Sequence, residues 1–133
     1  MRTEISHFWV GTFKNESDFG NFFGEAENYY EDEREIDEKY ISEFAKSQNE
    51  NWYDHDFFEC GFENEKISFE QNFSKYSYSK QWLTELKNRV EQRQLNLQIN
   101  SIAFITKAEI ENPSSVKGDN FELIYMGEIE YKI

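Results

Sequence analysis

The side chains best equipped for chemistry in this sequence are His7, His55 and Cys60, together with the carboxylates Asp54, Asp56 and Glu59. Oxygen donors at 54, 56 and 59 suit a hard divalent cation, and a carboxylate pair is also the equipment for acid and base at a glycosidic bond. Neither reading is diagnostic, because 27 acidic residues in a chain of 133 make such pairs by chance. The run also lacks the glycine and the closing glutamate of a calcium-binding EF-hand loop. A zinc site of the usual Cys/His kind has too few ligands, and one built from His7, His55 and a carboxylate requires two distant histidines to converge. The simpler readings are a strand residue near the core edge for His7 and an exposed turn residue for His55. Glu59 beside Cys60 disfavours a thiolate, so Cys60 reads as a small buried hydrophobe and not as a nucleophile. Phosphate-cradling glycine loops and the G-x-S-x-G elbow are absent. No catalytic residue, bound metal or cofactor is therefore expected.

The elements that must carry these residues follow from periodicity. Strand formers Phe8, Trp9, Val10 and Phe13 predict a strand over 5–13, with Gly11 marking a bulge or a close backbone approach. Asn15 is placed to cap a short helix over 16–23, with Glu16 and Asp18 in its first turn, Phe19, Phe22 and Phe23 at helical spacing, and Gly24 ending it. Tyr40, Ile41, Phe44 and Ala45 predict a second helix over 38–46, stopped by residues 48–51. Residues 57–62 read as a strand, and Ile67, Phe69, Gln71 and Phe73 alternate with polar residues as another. Ser79 is placed to cap a helix over 80–92 with Trp82, Leu83, Leu86 and Val90 on one face and Lys80, Lys87, Arg89 and Arg93 elsewhere. Leu95, Leu97 and Ile99 alternate with Asn96 and Gln98. The runs 102–110 and 121–131 then predict a hairpin across the loop 112–120, which holds the only proline. No repeat or linker divides the chain, so residues 1–133 are expected to form a single α+β domain, an antiparallel or mixed sheet with about three helices packed on it.

Charge is distributed unevenly over this frame. Of the formal net charge of −13, the segment 25–70 holds 16 acidic and 4 basic residues, a net of −12, while the other 87 residues nearly cancel. Strong acidity with few aromatics would signal disorder, but 18% Phe, Tyr and Trp predicts a folded core, to which Trp9 and Trp82 belong. The excess of carboxylates repels phosphate backbones and anionic lipid, so neither nucleic acid nor a membrane is expected as partner, and a basic protein is the natural complement. One cysteine cannot form an internal disulfide, and no signal-peptide core or long apolar stretch is present, which together predict the reducing cytoplasm. The densest run, 25–38, has eight carboxylates and reads either as a solvated face or as a binding surface. Its continuation through Trp52, Tyr53, Asp54, Asp56 and Glu59 interleaves aromatics with charge, the composition of binding hot spots; Trp52 itself is open to a core or an interface reading.

Four aromatic-rich blocks occur in order: His7-Phe-Trp-Val-Gly-Thr-Phe-Lys14, Ser42-Glu-Phe-Ala-Lys46, Trp52-Tyr-Asp-His-Asp-Phe-Phe-Glu59 and Leu123-Ile-Tyr-Met-Gly-Glu-Ile-Glu-Tyr131. In this order they resemble the immunity protein 22 family, associated with bacterial polymorphic toxin systems. The resemblance implies an α+β domain without enzymatic activity that neutralises the toxin encoded beside it, and it transfers no catalytic residues. An acidic protein can block a cationic cleft by presenting carboxylates where phosphates would lie. The expectation is thus a cytoplasmic inhibitor of a cognate basic toxin, with Asp32, Glu33, Glu35, Asp54, Asp56 and Glu59 as charged contacts and Trp52 and Tyr53 as anchors. Two rival readings are an acidic phosphate mimic acting on a DNA-binding or regulatory protein, and a small carboxylate hydrolase. The toxin's identity and the oligomeric state are not legible.

Overall fold

The longest unbroken run of burial among the described residues belongs to the central strand. In a computed structural model, which describes residues 2–24, 42–50, 57–63, 67–95 and 98–133, β1 (Thr3–Phe13) is buried without a break from Ser6 to Gly11. Such a run suits a strand covered on both faces. The other strands are β2 (Phe58–Phe62), β3 (Ser101–Thr106), β4 (Val116–Lys117) and β5 (Phe121–Lys132), giving an open antiparallel sheet of order β2-β3-β1-β5-β4.

Among the described residues four α-helices cover it. Helices α1 (Glu16–Phe23) and α2 (Glu43–Ser47) lie on one face, where Trp9, Phe13, Phe22, Phe23, Phe44 and Ile105 form a core. Helices α3 (Phe69–Phe73) and α4 (Ser79–Arg93) lie on the other, over Phe8, Val10, Phe73, Trp82, Leu86 and Phe104. Alternation along β1 divides its residues between the two cores, Phe8 and Val10 to one and Trp9 and Phe13 to the other. The architecture is the α+β class read from the sequence, an antiparallel sheet with helices packed on it. Trp9 and Trp82 are fully buried, as expected.

Several local expectations need correction. Residues 67–73 alternate like a strand, yet 69–73 are helical: the Ser68 Oγ accepts from the Gln71 N–H at 3.1 Å, and the Gln71 Oε1 accepts from the Ser68 N–H at 3.2 Å. That reciprocal cap satisfies two backbone donors and places Phe69 and Phe73 one turn apart, with ring centroids separated by 4.9 Å. Of the helix expected over 38–46, residues 38–41 lie outside the described residues; the described helix is Glu43–Ser47, capped by Ser42, whose Oγ accepts from the Ala45 N–H. Ser79 is the first residue of α4 and not its cap; the cap position is Tyr78, in the left-handed region at φ 58°, and the Ser79 hydroxyl donates to the Ser74 carbonyl. Of the 95–99 alternation, residues 96 and 97 lie outside the described residues and the rest form no strand.

The predicted hairpin of 102–110 with 121–131 is replaced by a different pairing. Both β3 and β5 run antiparallel to β1, which lies between them, so they are parallel to each other and no tight turn can join them. The true hairpin is β4–β5, closed through residues 118–120. The connection before it passes on the Trp9 face of the sheet, where the Trp9 Nε1–H donates to the Ser114 carbonyl at 3.0 Å and the Ser114 N–H donates to the Gln48 Oε1 at 2.6 Å. Gly11 marks a close approach: a Cβ there would lie 2.5 Å from the Glu122 carbonyl oxygen. The bulge is elsewhere, on β5, where Phe8 pairs with Gly127 and Trp9 with Tyr125, leaving Met126 as the extra residue and Gly127 at φ 98°.

Candidate functional site

Of the residues expected to contact a partner, Asp32, Glu33, Glu35, Trp52, Tyr53, Asp54 and Asp56 lie outside the described residues, as does His55. Glu59 is described. It lies on β2, a sheet-edge strand, half-buried, with its Oε2 accepting from the Ser77 N–H at 2.9 Å. Four positions on, Glu63 accepts from the Tyr76 hydroxyl at 2.7 Å and pairs with Lys75 at 2.6 Å. The turn between α3 and α4 is thus pinned to β2 by two carboxylates, and Gly61 between them leaves room for the Tyr76 phenol.

This use of carboxylates extends along the acidic segment. Glu43 pairs with Lys46 at 3.4 Å, Glu50 accepts from the Glu111 N–H at 3.2 Å, and Glu70 pairs with Lys87. Every described acidic side chain in 25–70 therefore has an internal partner. Part of the charge that reads as one surface in the sequence holds loops and helices in place.

The other groups with chemical potential are also occupied. His7 is buried on β1; its Nε2 faces the Ile110 carbonyl at 3.0 Å and must donate to it, so in the neutral ring Nδ1 accepts from the Tyr125 hydroxyl at 2.8 Å. It lines an open groove of about 750 Å³ bordered by Ile5, Lys107, Glu111 and Glu128, with both ring nitrogens engaged by partners within the fold. Cys60 packs against the α1/α2 core, and burial first, then the Glu59 charge, pushes its thiol up to about 12. It stays protonated at neutral pH, as a small hydrophobe should. Among the described residues no three His, Cys, Asp or Glu side chains gather as a metal site.

A second groove, of about 260 Å³, opens beside Glu59. Phe57, Tyr78, Phe104 and Tyr131 line it together with Glu4 and Glu59. Phe57 belongs to the aromatic and acidic run read from the sequence. Tyr78, Glu4 and Tyr131 do not, because strand order and the left-handed turn at 78 bring them there and no local spacing announces either. Burial, and next to it the Glu4 and Glu59 charges, raise the Tyr131 hydroxyl pKa, while the hydrogen bond with Ser6 at 2.8 Å opposes that shift.

Among the described residues no helix is long and apolar enough to cross a membrane. Comparison with curated proteins and with solved structures finds no match. A family model described as Immunity protein 22 matches residues 6–132, from the start of the buried part of β1 to the end of β5. Covering both cores and all five strands, that match shows that the chain belongs to the Immunity protein 22 family.

Proposed function

We propose that the protein is a non-catalytic cytoplasmic immunity protein that binds and neutralises a basic cognate toxin. Its contact surface is the acidic, aromatic-containing stretch with Asp32, Glu33, Glu35, Trp52, Tyr53, Asp54, Asp56 and Glu59. The observation that carries the reading is family membership over nearly the whole chain, joined to a net charge of −12 within 25–70. A charge so concentrated attracts a cationic partner over a distance and speeds encounter, which counts when the partner is lethal unbound. The five described carboxylates with internal partners are counted within that −12, so the field and the internal ties draw on the same side chains.

The test is co-expression with the product of the adjacent reading frame, followed by co-purification and stopped-flow association. A stable complex is expected. Its association rate should fall by at least tenfold between about 50 and 500 mM salt, as the Debye length shrinks from roughly 14 to 4 Å. Asp54→Lys with Asp56→Lys should slow association by a similar factor without changing the unfolding midpoint. No complex would overturn the reading, and a salt-independent association rate would remove the acidic segment from it.

A further inference from the structure

The groove beside Glu59 has the composition of a cation seat. Phe57 and Tyr78, each 54% exposed, are the most exposed large apolar side chains among the described residues, and both border it. Two carboxylates share that lining. Glu4 gives one oxygen to the Ile5 N–H at 3.2 Å and Glu59 gives one to the Ser77 N–H, leaving each with a second oxygen that has no partner among the described residues. Among the described residues Arg2 is the only cationic side chain in the lining. Aromatic rings beside unsatisfied carboxylate oxygens complement a flat, weakly hydrated cation, which gains from the ring faces and from charge-assisted hydrogen bonds together. The volume is below that of pockets for drug-sized ligands and suits one long side chain.

We propose that this groove seats an arginine side chain of the toxin, with the guanidinium between the Phe57 and Tyr78 rings and against Glu4 and Glu59. The inference rests on the toxin-binding reading for the source of the arginine, and on the groove alone for its chemistry. A protein source fits the charge: the chain leading into Phe57 carries Asp54 and Asp56, and the segment 25–70 draws basic surfaces. Tyr78 also has its backbone in a region that glycine adopts more easily, so a tyrosine there places an exposed ring at a conformational cost.

That same backbone supplies a clean variant. Tyr78→Gly removes the ring while relaxing the turn, so the unfolding midpoint should not drop. In ¹H–¹⁵N spectra of the full chain, acetyl-arginine amide should give saturable shifts at Phe57, Glu59 and Tyr78. Acetyl-citrulline amide, its neutral isostere, should bind at least fivefold more weakly. The arginine response should vanish in Tyr78→Gly and in the Glu4→Gln, Glu59→Gln double variant. Equal binding of citrulline, an undiminished response in Tyr78→Gly, or tighter binding of tetramethylammonium than of the arginine probe would overturn the proposal, the last by assigning the groove to a small organic cation. With the toxin, Tyr78→Gly should raise the dissociation rate at least tenfold and leave the association rate within twofold. A toxin that binds Tyr78→Gly as tightly as the unaltered chain sinks the groove and spares the immunity reading; a chain that binds arginine but no toxin does the reverse.

Discussion

On one face of the sheet, phenylalanine rings do most of the holding: Phe22 meets Phe121 at 4.6 Å, Phe13 meets Phe121 at 4.9 Å, and Phe44 meets Phe23 at 5.1 Å and Trp9 at 5.0 Å. The helices there have eight and five residues, too short to persist without that packing. On the other face a helix of 15 residues is fixed as much by polar ties as by its apolar stripe. The Trp82 Nε1–H donates to the Ser77 carbonyl at 2.7 Å, and Arg89 and Arg93 donate to the Met126 and Tyr125 carbonyls at 3.1 and 2.8 Å. The last two ties satisfy carbonyls of β5 beside its bulge, where the sheet edge would otherwise stand open. The difference teaches that one layer holds its helices to the sheet chiefly by ring packing, with polar ties from Trp9 and Gln48 to the 114 loop, whereas the long helix of the other is itself bonded to β5, and it is this second layer that positions Tyr78 and the turn held by Glu59 and Glu63.

Truncating an anchor on each face should break this contrast most forcefully. Phe44→Ala and Trp82→Ala should each cost about 3 to 5 kcal/mol in urea unfolding, the range for large aromatic truncations in a core. Their local signatures should differ. Phe44→Ala should raise amide exchange chiefly in 43–48, where a five-residue helix loses its anchor, while Trp82→Ala should raise it throughout α4 and the neighbouring strands. Identical exchange patterns would erase the distinction between the layers.

A smaller effect should come from β2, which gives Cys60 to one layer and supports Tyr76 of the other. Cys60 is held up to about 12, and burial, with Glu63 as hydrogen-bond partner and charge, raises the Tyr76 hydroxyl as well. In the unfolded chain a thiol loses its proton near pH 8.5. The folded state keeps it, so the stability tied to this group is complete below about pH 8.5 and is lost as pH rises toward 12. Unfolding at pH 9.5, one pH unit past the unfolded thiol's titration, should therefore cost about 1.4 kcal/mol less than at pH 7.5. Cys60→Ala should remove most of that drop, and an unchanged drop would place the alkaline sensitivity elsewhere.

The smallest expected effects are at the caps. Asn15 accepts once, from the Asp18 N–H at 2.8 Å, whereas Ser68 takes part in a reciprocal pair. Asn15→Ala should cost about 1 kcal/mol and Ser68→Ala somewhat more, read as shifts in urea midpoint at constant slope.

How much of this was legible in the sequence depended on the range of the interaction. Asn15 with Asp18, the apolar stripe of α4 and the strand character of β1, β2 and β5 are written within a few residues, and each was readable. The Ser68 and Gln71 cap is equally local, but four alternating residues obscured it, since so short a run fits a period of two as well as a helical turn. The insertion of β1 between β3 and β5 depends on contacts nearly the length of the chain apart, and no local pattern encodes it. Neither does any pattern assemble the groove, whose residues come from β1, the start of β2, the turn at 78 and the end of β5. The acidic segment misled in an instructive way: a carboxylate that fastens a turn and one that meets a partner are the same letter in the sequence.

The extra residue at Met126 has a consequence for how the chain can change. Before it, odd-numbered residues of β5 such as Leu123 face the phenylalanine layer; after it, odd-numbered residues such as Ile129 and Tyr131 face the tryptophan layer. The strand therefore changes phase once, and both cores depend on when it does so. Losing one residue between 126 and 128 would turn the polar Glu128 and Glu130 inward and Ile129 outward, while substitutions along the same stretch preserve the phase. Outside Gly127 and its buried positions, the strand is consequently more sensitive to altered length than to altered letters, whatever partner the surface evolves to meet.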